Sequence, residues 1–362
     1  MMMVAGSYGQ QSDGTVEHRI VKDIVRQHAE LAAFLWAQRD TLAAEDPPEG
    51  NVVDGVGRRL EANLDGLRIA GVAAWPFIEA AYEDFPEKGE LFLFTWLAIE
   101  QGSDNKIRQA VELGRASDDD ARGLVGALAW HKAETISPLV RRWISAQDAF
   151  LRYLAVAACR EHGVDPKALL TNLMRDPDVR VRANSLHLAG VLQRLDLVHE
   201  VAGALDADDG SVRLWAAWTL NELDRGDLAR AELRKVAATN GPNAPTALRA
   251  LIKAGPQDDV RAFMGGLLKS PDTASLAVRG AGMLGDRSIL PWLVQQMRIP
   301  ALAAAAGGAL LETFPEARGI DGLFTLDPTT LGPDFEDHFG DFAMKVPVAE
   351  NVRMWSNSVL QK

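Results

Sequence analysis

Asp178-Val-Arg-Val-Arg182-Ala-Asn-Ser-Leu-His-Leu-Ala-Gly190 is the stretch on which the fold turns. An acidic residue opens it, an arginine follows four positions later, and a run of small and apolar residues closes on glycine. The same order returns as Asp118-Asp-Asp-Ala-Arg122, Asp148-Ala-Phe-Leu-Arg152 and Asp209-Gly-Ser-Val-Arg213, with looser copies around Arg249 and Arg279. The arginines are spaced by 30, 30, 31, 36 and 30 residues, a period that marks a structural repeat.

Each period is long enough for two helices. A first amphipathic stretch such as Asp165-Pro-Lys-Ala-Leu-Leu-Thr-Asn-Leu-Met-Arg175 precedes a turn, and the Asp-Arg helix follows it. The acid is placed to cap that helix, where its carboxylate accepts free backbone N–H groups at the positive end of the dipole, worth ~1 kcal/mol. Pro177 and Pro271 are expected in the turns, and Pro166 and Pro291 in the first turn of the other helix, where no N–H is lost. Gly163, Gly190 and Gly285 are expected to end helices in the left-handed conformation. The second helices are rich in Ala and Gly, as in Ala155-Val-Ala-Ala158 and Arg279-Gly-Ala-Gly-Met-Leu-Gly285, so neighbours can approach closely.

This pattern resembles the short HEAT-like repeat of about 30 residues, related to repeats in phycobilin lyases. The fold class it implies is all-α: a right-handed α-solenoid, or superhelix, with the Asp-Arg helices on its concave side. The repeats cover residues 116–312. Residues 1–14 are expected to be a disordered start. Residues 15–115 read as a helical N-terminal cap without the Asp-Arg register, with helices at 16–42, 57–66, 73–85 and 90–100 and a polar loop at Glu45-Asp-Pro-Pro-Glu-Gly-Asn51. Residues 313–362, broken by Pro315, Pro328, Pro333 and Pro347, read as an irregular acidic extension that folds back on the last repeat or is partly disordered.

Three stretches, Gln27-His-Ala-Glu-Leu-Ala-Ala-Phe-Leu-Trp-Ala-Gln-Arg-Asp40, Arg59-Leu-Glu-Ala-Asn-Leu-Asp-Gly-Leu-Arg-Ile-Ala-Gly71 and Val212-Arg-Leu-Trp-Ala-Ala-Trp218, are together similar to an uncharacterised bacterial HEAT-repeat family. Leu276-Ala-Val-Arg-Gly-Ala-Gly-Met-Leu-Gly-Asp286, followed by Pro291-Trp-Leu293, resembles that family's last full repeat. Members are often encoded near type VI secretion genes, so the resemblance implies an accessory role in loading an effector or spike component. The family's chains continue beyond the region after Val346, whereas this sequence stops at Lys362.

Composition narrows the chemistry. A formal charge of −12 repels a phosphate backbone on average, so nucleic acid is not the expected partner. Cys159, the single cysteine, lies in an apolar helical run and reads as core; a reducing, cytoplasmic setting follows. No segment has the length and apolar content of a membrane span, and the start lacks the pattern of a secretory signal. The histidines, His18, His28, His131, His162, His187, His199 and His338, include no i, i+4 pair, so no metal site is expected. The deoxyhypusine hydroxylases share the architecture but need His-Glu pairs in several repeats, and only His199-Glu200 occurs here. Gly55-Val-Gly57 reads as a loop leading into a helix, not a dinucleotide site, and no serine sits in a Gly-x-Ser-x-Gly elbow.

What remains is a surface. Arg152, Arg182, Arg213, Trp215, Trp218 and Arg279 are the candidate partner-binding residues, because the same helix positions recur on one side of the stack. Each has a plainer reading. The arginines can bridge to an Asp of their own or the next repeat, with Asp206, Asp208 and Asp209 beside Arg213, and the tryptophans can pack between repeats. Ser117-Asp-Asp-Asp120 can be a solvated face or a negative patch. The expected function is a non-enzymatic adaptor without cofactor, binding a protein. A DNA-cradling enzyme of the glycosylase type and a toxin-neutralising immunity protein are the alternatives.

Overall fold

The computed structural model describes residues 20–45, 47–340 and 344–359. The expected disordered start at 1–14, the first residues of the helix expected from Val16, and His18 lie outside these residues. The chain is all-α and forms two compact units, one running to Thr41 and again over Asn51–Ala127, the other made of Leu42–Gly50 and the chain from Leu128 onward.

The first unit is built from α1 (Lys22–Ala43), α2 (Gly50–Ala70), α3 (Trp75–Asp84), α4 (Lys88–Glu100), α5 (Asp104–Leu113) and most of α6 (Asp118–Trp130). Its centre is α4, in which Gly89 and every residue from Leu91 to Ile99 are buried, as expected of a helix apolar on every side. Trp36 stacks on Phe92 with ring centroids 4.7 Å apart, and Trp75 meets Phe94 edge-on. Two glycines set the packing distance. A Cβ at Gly89 would lie 2.6 Å from the Ala33 carbonyl oxygen, and one at Gly123 would lie 2.4 Å from that of Lys88. Gly55 and Gly57 lie inside α2 and not in a loop, a correction to the sequence reading. Val53, Val56, Leu60, Leu64 and Leu67 form one buried helical stripe, and its burial outweighs a glycine penalty of roughly 1 kcal/mol each.

The second unit contains the repeats. The first helices of successive pairs are α7 (Ala133–Trp143), α9 (Leu169–Leu173), α11 (Val198–Gly203), α13 (Gly226–Ala237), α15 (Gln257–Leu267) and α17 (Leu290–Gln296). The second helices are α8 (Ala149–Glu161), α10 (Val179–Val191), α12 (Gly210–Glu222), α14 (Ala244–Ala254), α16 (Pro271–Met283) and α18 (Pro300–Thr313). Each second helix packs on the next, so α8, α10, α12, α14, α16 and α18 form one continuous row. This is the helical-repeat solenoid that the Asp-Arg period predicts.

Three of the acids cap as expected. Asp148 accepts from the N–H of Phe150, Asp178 from those of Arg180 and Val181, and Asp209 from those of Ser211 and Val212. Asp118 does not: it lies within the first turn of α6, and the Ser117 hydroxyl oxygen accepts from the Asp120 N–H instead. Three consecutive acids leave the register ambiguous, and serine is as good a cap as aspartate. Pro271 also moves, from the turn to the first residue of α16, and Pro166 falls in a turn ahead of α9.

Helix ends follow a second period. The left-handed residues after α8, α10, α12 and α16 are Gly163, Gln193, Asp224 and Gly285. After the first three, the next N–H reaches back five residues, from Val164 to the Cys159 carbonyl, Arg194 to Ala189 and Arg225 to Leu220, closing Schellman turns. Gly190 is therefore not the terminator of α10. It is buried inside the helix, where a Cβ would lie 2.7 Å from the Trp218 ring and 2.8 Å from Thr219 Oγ1. It lets α12 approach closely enough for the Thr219 hydroxyl to donate to the Leu186 carbonyl at 2.7 Å.

The extension after α18 folds back on the last pair and is more regular than its prolines suggest. Phe324–Thr325 (β1) pairs antiparallel with Val346–Pro347 (β2), and α19 (Pro333–Phe339) and α20 (Ala349–Val359) pack on α18 and α17. Leu323 and Val352 join Leu290, Leu310 and Phe314 in one buried cluster. Among the described residues, no helix is long and apolar enough to cross a membrane.

Candidate partner-binding face

The four candidate arginines lie on the row of second helices, and the structure gives three of them a common job. Arg152 Nη1 donates to the carbonyls of Ala146 and Gln147, Arg182 Nη1 to those of Asp176 and Pro177, and Arg213 Nη1 to those of Ala207 and Asp208. Each guanidinium thus clips the turn ahead of its own helix. The remaining nitrogens reach the next repeat: Arg152 grips Asp176 with two bonds of 2.7 and 2.8 Å, and Arg213 Nε donates to Glu232 at 2.8 Å. Arg213 is therefore balanced by Glu232 and two carbonyls, not by the carboxylates of Asp206, Asp208 and Asp209 as expected from sequence. Arg279 is buried and pairs with Glu312, which Arg249 also holds at 2.6 Å.

Electrostatics follow from this pairing. Burial works to raise the Asp176 carboxyl, but the bond from Arg152, the Asp178 N–H and the charges of Arg152 and Arg182 outweigh it and hold it below its ordinary value. Burial likewise opposes ionisation of Glu312, and Arg249 and Arg279 overcome it. In the first unit, Arg122 serves a different end, meeting Asp40 of α1 beside Lys88.

Elsewhere along the row, neighbouring helices are joined by polar ties. Arg160 of α8 donates to Asn184 of α10 at 2.6 Å, Lys253 of α14 to Glu222 of α12 at 2.6 Å, and Arg249 and Arg279 meet at Glu312 of α18. Arg180 also lies over the rings of Phe150 and Tyr153. The step from α10 to α12 has a different character. There His187 stacks face to face on Trp215, with ring centroids 3.7 Å apart and 11° between planes. Trp218 stands edge-on to both, at 4.6 Å from His187 and 5.7 Å from Trp215. All three rings are half-buried.

Burial, with a smaller contribution from the Arg160 charge, pushes the His187 imidazole down to about 3, so it is neutral at physiological pH. Its Nδ1 is buried without a hydrogen-bond partner. The patch is therefore an uncharged aromatic shelf in a face otherwise laced with ion pairs. Sequence reasoning named Trp215 and Trp218 but weighed His187 only as a metal ligand. The signal was present: His187 stands nine residues past its Asp178 cap, as Trp218 does past Asp209, so the repeat register alone puts them side by side. The corresponding position in the preceding pair, nine residues past Asp148, is Ala157.

Among the described residues, no three His, Cys, Asp or Glu side chains converge to hold a metal ion. Comparison of the chain with family models, curated proteins and solved structures finds no match in any of the three.

Proposed function

We propose that this chain is a non-enzymatic scaffold or adaptor that holds a protein partner against its row of second helices, centred on Trp215, Trp218 and His187. The observation that carries the reading is the uncharged aromatic step between α10 and α12, set in a face whose other steps are tied by charged and polar side chains. Tryptophan presents large apolar area with little rotamer entropy to lose, which is why it dominates interface energetics. Arg152, Arg182, Arg213 and Arg279 act in this proposal as the frame that holds the row in register, since each donates to carbonyls or carboxylates of the protein itself. The same engagement weighs against a DNA-cradling enzyme, which needs those guanidinium groups for phosphate.

The resemblance to the family encoded near type VI secretion genes makes a secretion effector or spike component the proposed partner, and the cytoplasm the proposed compartment. Capture from the native host with the tagged chain is expected to recover one defined protein, and Trp215→Ala to weaken that capture at least tenfold with helicity unchanged. Recovery of a toxin would retain the face and make the chain a neutralising protein. Capture unaffected by both Trp215→Ala and Asn184→Arg, with the fold intact, would overturn the proposal.

A further inference from the structure

A cavity of about 460 Å³ opens in the second unit, away from the aromatic shelf, and it has a local cause. The first helix α7 runs eleven residues, but its counterpart in the next repeat, α9, runs only five. Residues 163–168 pass as turns where the opening of a longer α9 would lie. The apolar flank of α7, with Ile136, Val140 and Ile144 spaced four residues apart, therefore faces a hollow closed by Cys159, Val164 and Leu169. Val164 and Leu169 remain 45% and 40% exposed, and the volume falls within the ~300–1,000 Å³ of small-ligand sites.

The rim is charged unequally. Glu134, Arg141, Asp165 and Lys167 line it. Asp165 is already committed: Arg194 of the following repeat donates to both its oxygens at 3.0 and 3.2 Å, and the Lys167 N–H donates to its Oδ1 at 2.7 Å. The side chains of Arg141 and Lys167 make no ion pair among the described residues, nor does Glu134. Glu134 lies seven residues from Arg141 on α7, roughly 10 Å along the helix, which places it at the other end of the apolar strip. Lys167, whose N–H is held by Asp165 Oδ1, has a φ of 57°, in the left-handed region that Gln193 and Asp224 also occupy.

We propose that this cavity binds an amphipathic monocarboxylate of the fatty-acid class, its apolar body along Ile136, Val140 and Ile144 and its carboxylate held by Arg141 and Lys167. The closing thiol suits the apolar body, because burial pushes Cys159 up to about 11 and keeps it neutral. The lining of the site includes none of Trp215, Trp218 and His187, on which the proposed protein-binding face is centred.

Titration calorimetry with decanoate is expected to show saturable one-to-one binding, with decyltrimethylammonium, of equal tail and opposite charge, at least tenfold weaker. Arg141→Gln and Lys167→Asn, the latter chosen because Asn tolerates positive φ, should each weaken decanoate at least threefold. Val140→Trp, or Ser137→Trp if the first impairs folding, should fill the hollow and abolish binding, while helicity and Trp215-dependent capture persist. In the unsubstituted chain, decanoate should slow alkylation of Cys159, its only thiol. Equal affinity for the two amphiphiles, decanoate binding that survives both tryptophan variants, or no binding at all would overturn the proposal. Loss of partner capture in a folded Ser137→Trp chain would overturn it too, by assigning the hollow to the partner.

Discussion

The helices α1–α5 and the helices α8–α12 solve the same problem, joining neighbouring helices side by side, by different means. In the first group, large rings and close backbones do the joining. Trp36 stacks on Phe92, Trp75 meets Phe94, and α4 is buried on every side. In the second group the helices are short, and polar devices repeat at fixed offsets: an aspartate cap, an arginine clip onto two turn carbonyls, and a left-handed terminator. The contrast teaches that a periodic stack can distribute its specificity over many bonds of about 1 kcal/mol, whereas an aperiodic helical unit concentrates it in a few large side chains.

Phe92→Ala tests the concentrated half. It should cost about 3–5 kcal/mol, read as loss of midpoint in urea melts, since it removes a fully buried ring stacked on Trp36. Asp176→Ala, which removes both bonds from the half-buried Arg152 guanidinium, should cost about 2 kcal/mol near neutral pH. Because the folded Asp176 carboxyl titrates below its ordinary value of about 3.9, its contribution is complete above that pH and is lost as pH falls through the folded value. The gap between parent and variant should therefore narrow in acid.

His187 adds an acid-sensitive increment to the second group. Its folded imidazole titrates near 3 and an unfolded one near about 6.5, so between those values the unfolded chain takes up the proton and stability falls with pH. At a pH of about 5 the loss should be about 1–2 kcal/mol, discounted for partial exposure, and His187→Phe should remove it in paired urea melts at a pH of about 5 and about 7.5. Asp178→Ala should cost about 1 kcal/mol and Asp118→Ala much less, because only the first closes a cap. Gln193→Gly should raise stability by about 0.5 kcal/mol, relieving a left-handed residue at some entropic expense in the unfolded chain.

The repeat was legible because its signals are local. Asp178, Arg182 and the 30-residue spacing need only the geometry of one turn and one helix, and they specify a stack before any tertiary contact is known. Gly190 and Gly55 were misread for the opposite reason. Glycine serves both as a terminator and as a gap for a neighbour, and only the position of Trp218 decides which role Gly190 has. The aromatic shelf was half legible: Trp215 and Trp218 are i, i+3 on one helix, while His187 joins them only across the repeat interface. The hollow beside α7 could not be read, since it arises from the shortness of α9, and helix length is the feature that sequence periodicity fixes least.

The fold-back over α17 and α18 has a consequence for the population of molecules and not just for one. A row of identical steps ends on a surface that would welcome another such step, and an open-ended array is a seed for growth into fibres. Here Leu323 and Val352 occupy that terminal surface together with Phe314, and the β1–β2 ladder lies against Gly307 with Phe324 and Pro347 within about 3.3 Å of where its Cβ would be. The chain is thus its own stopper at that end.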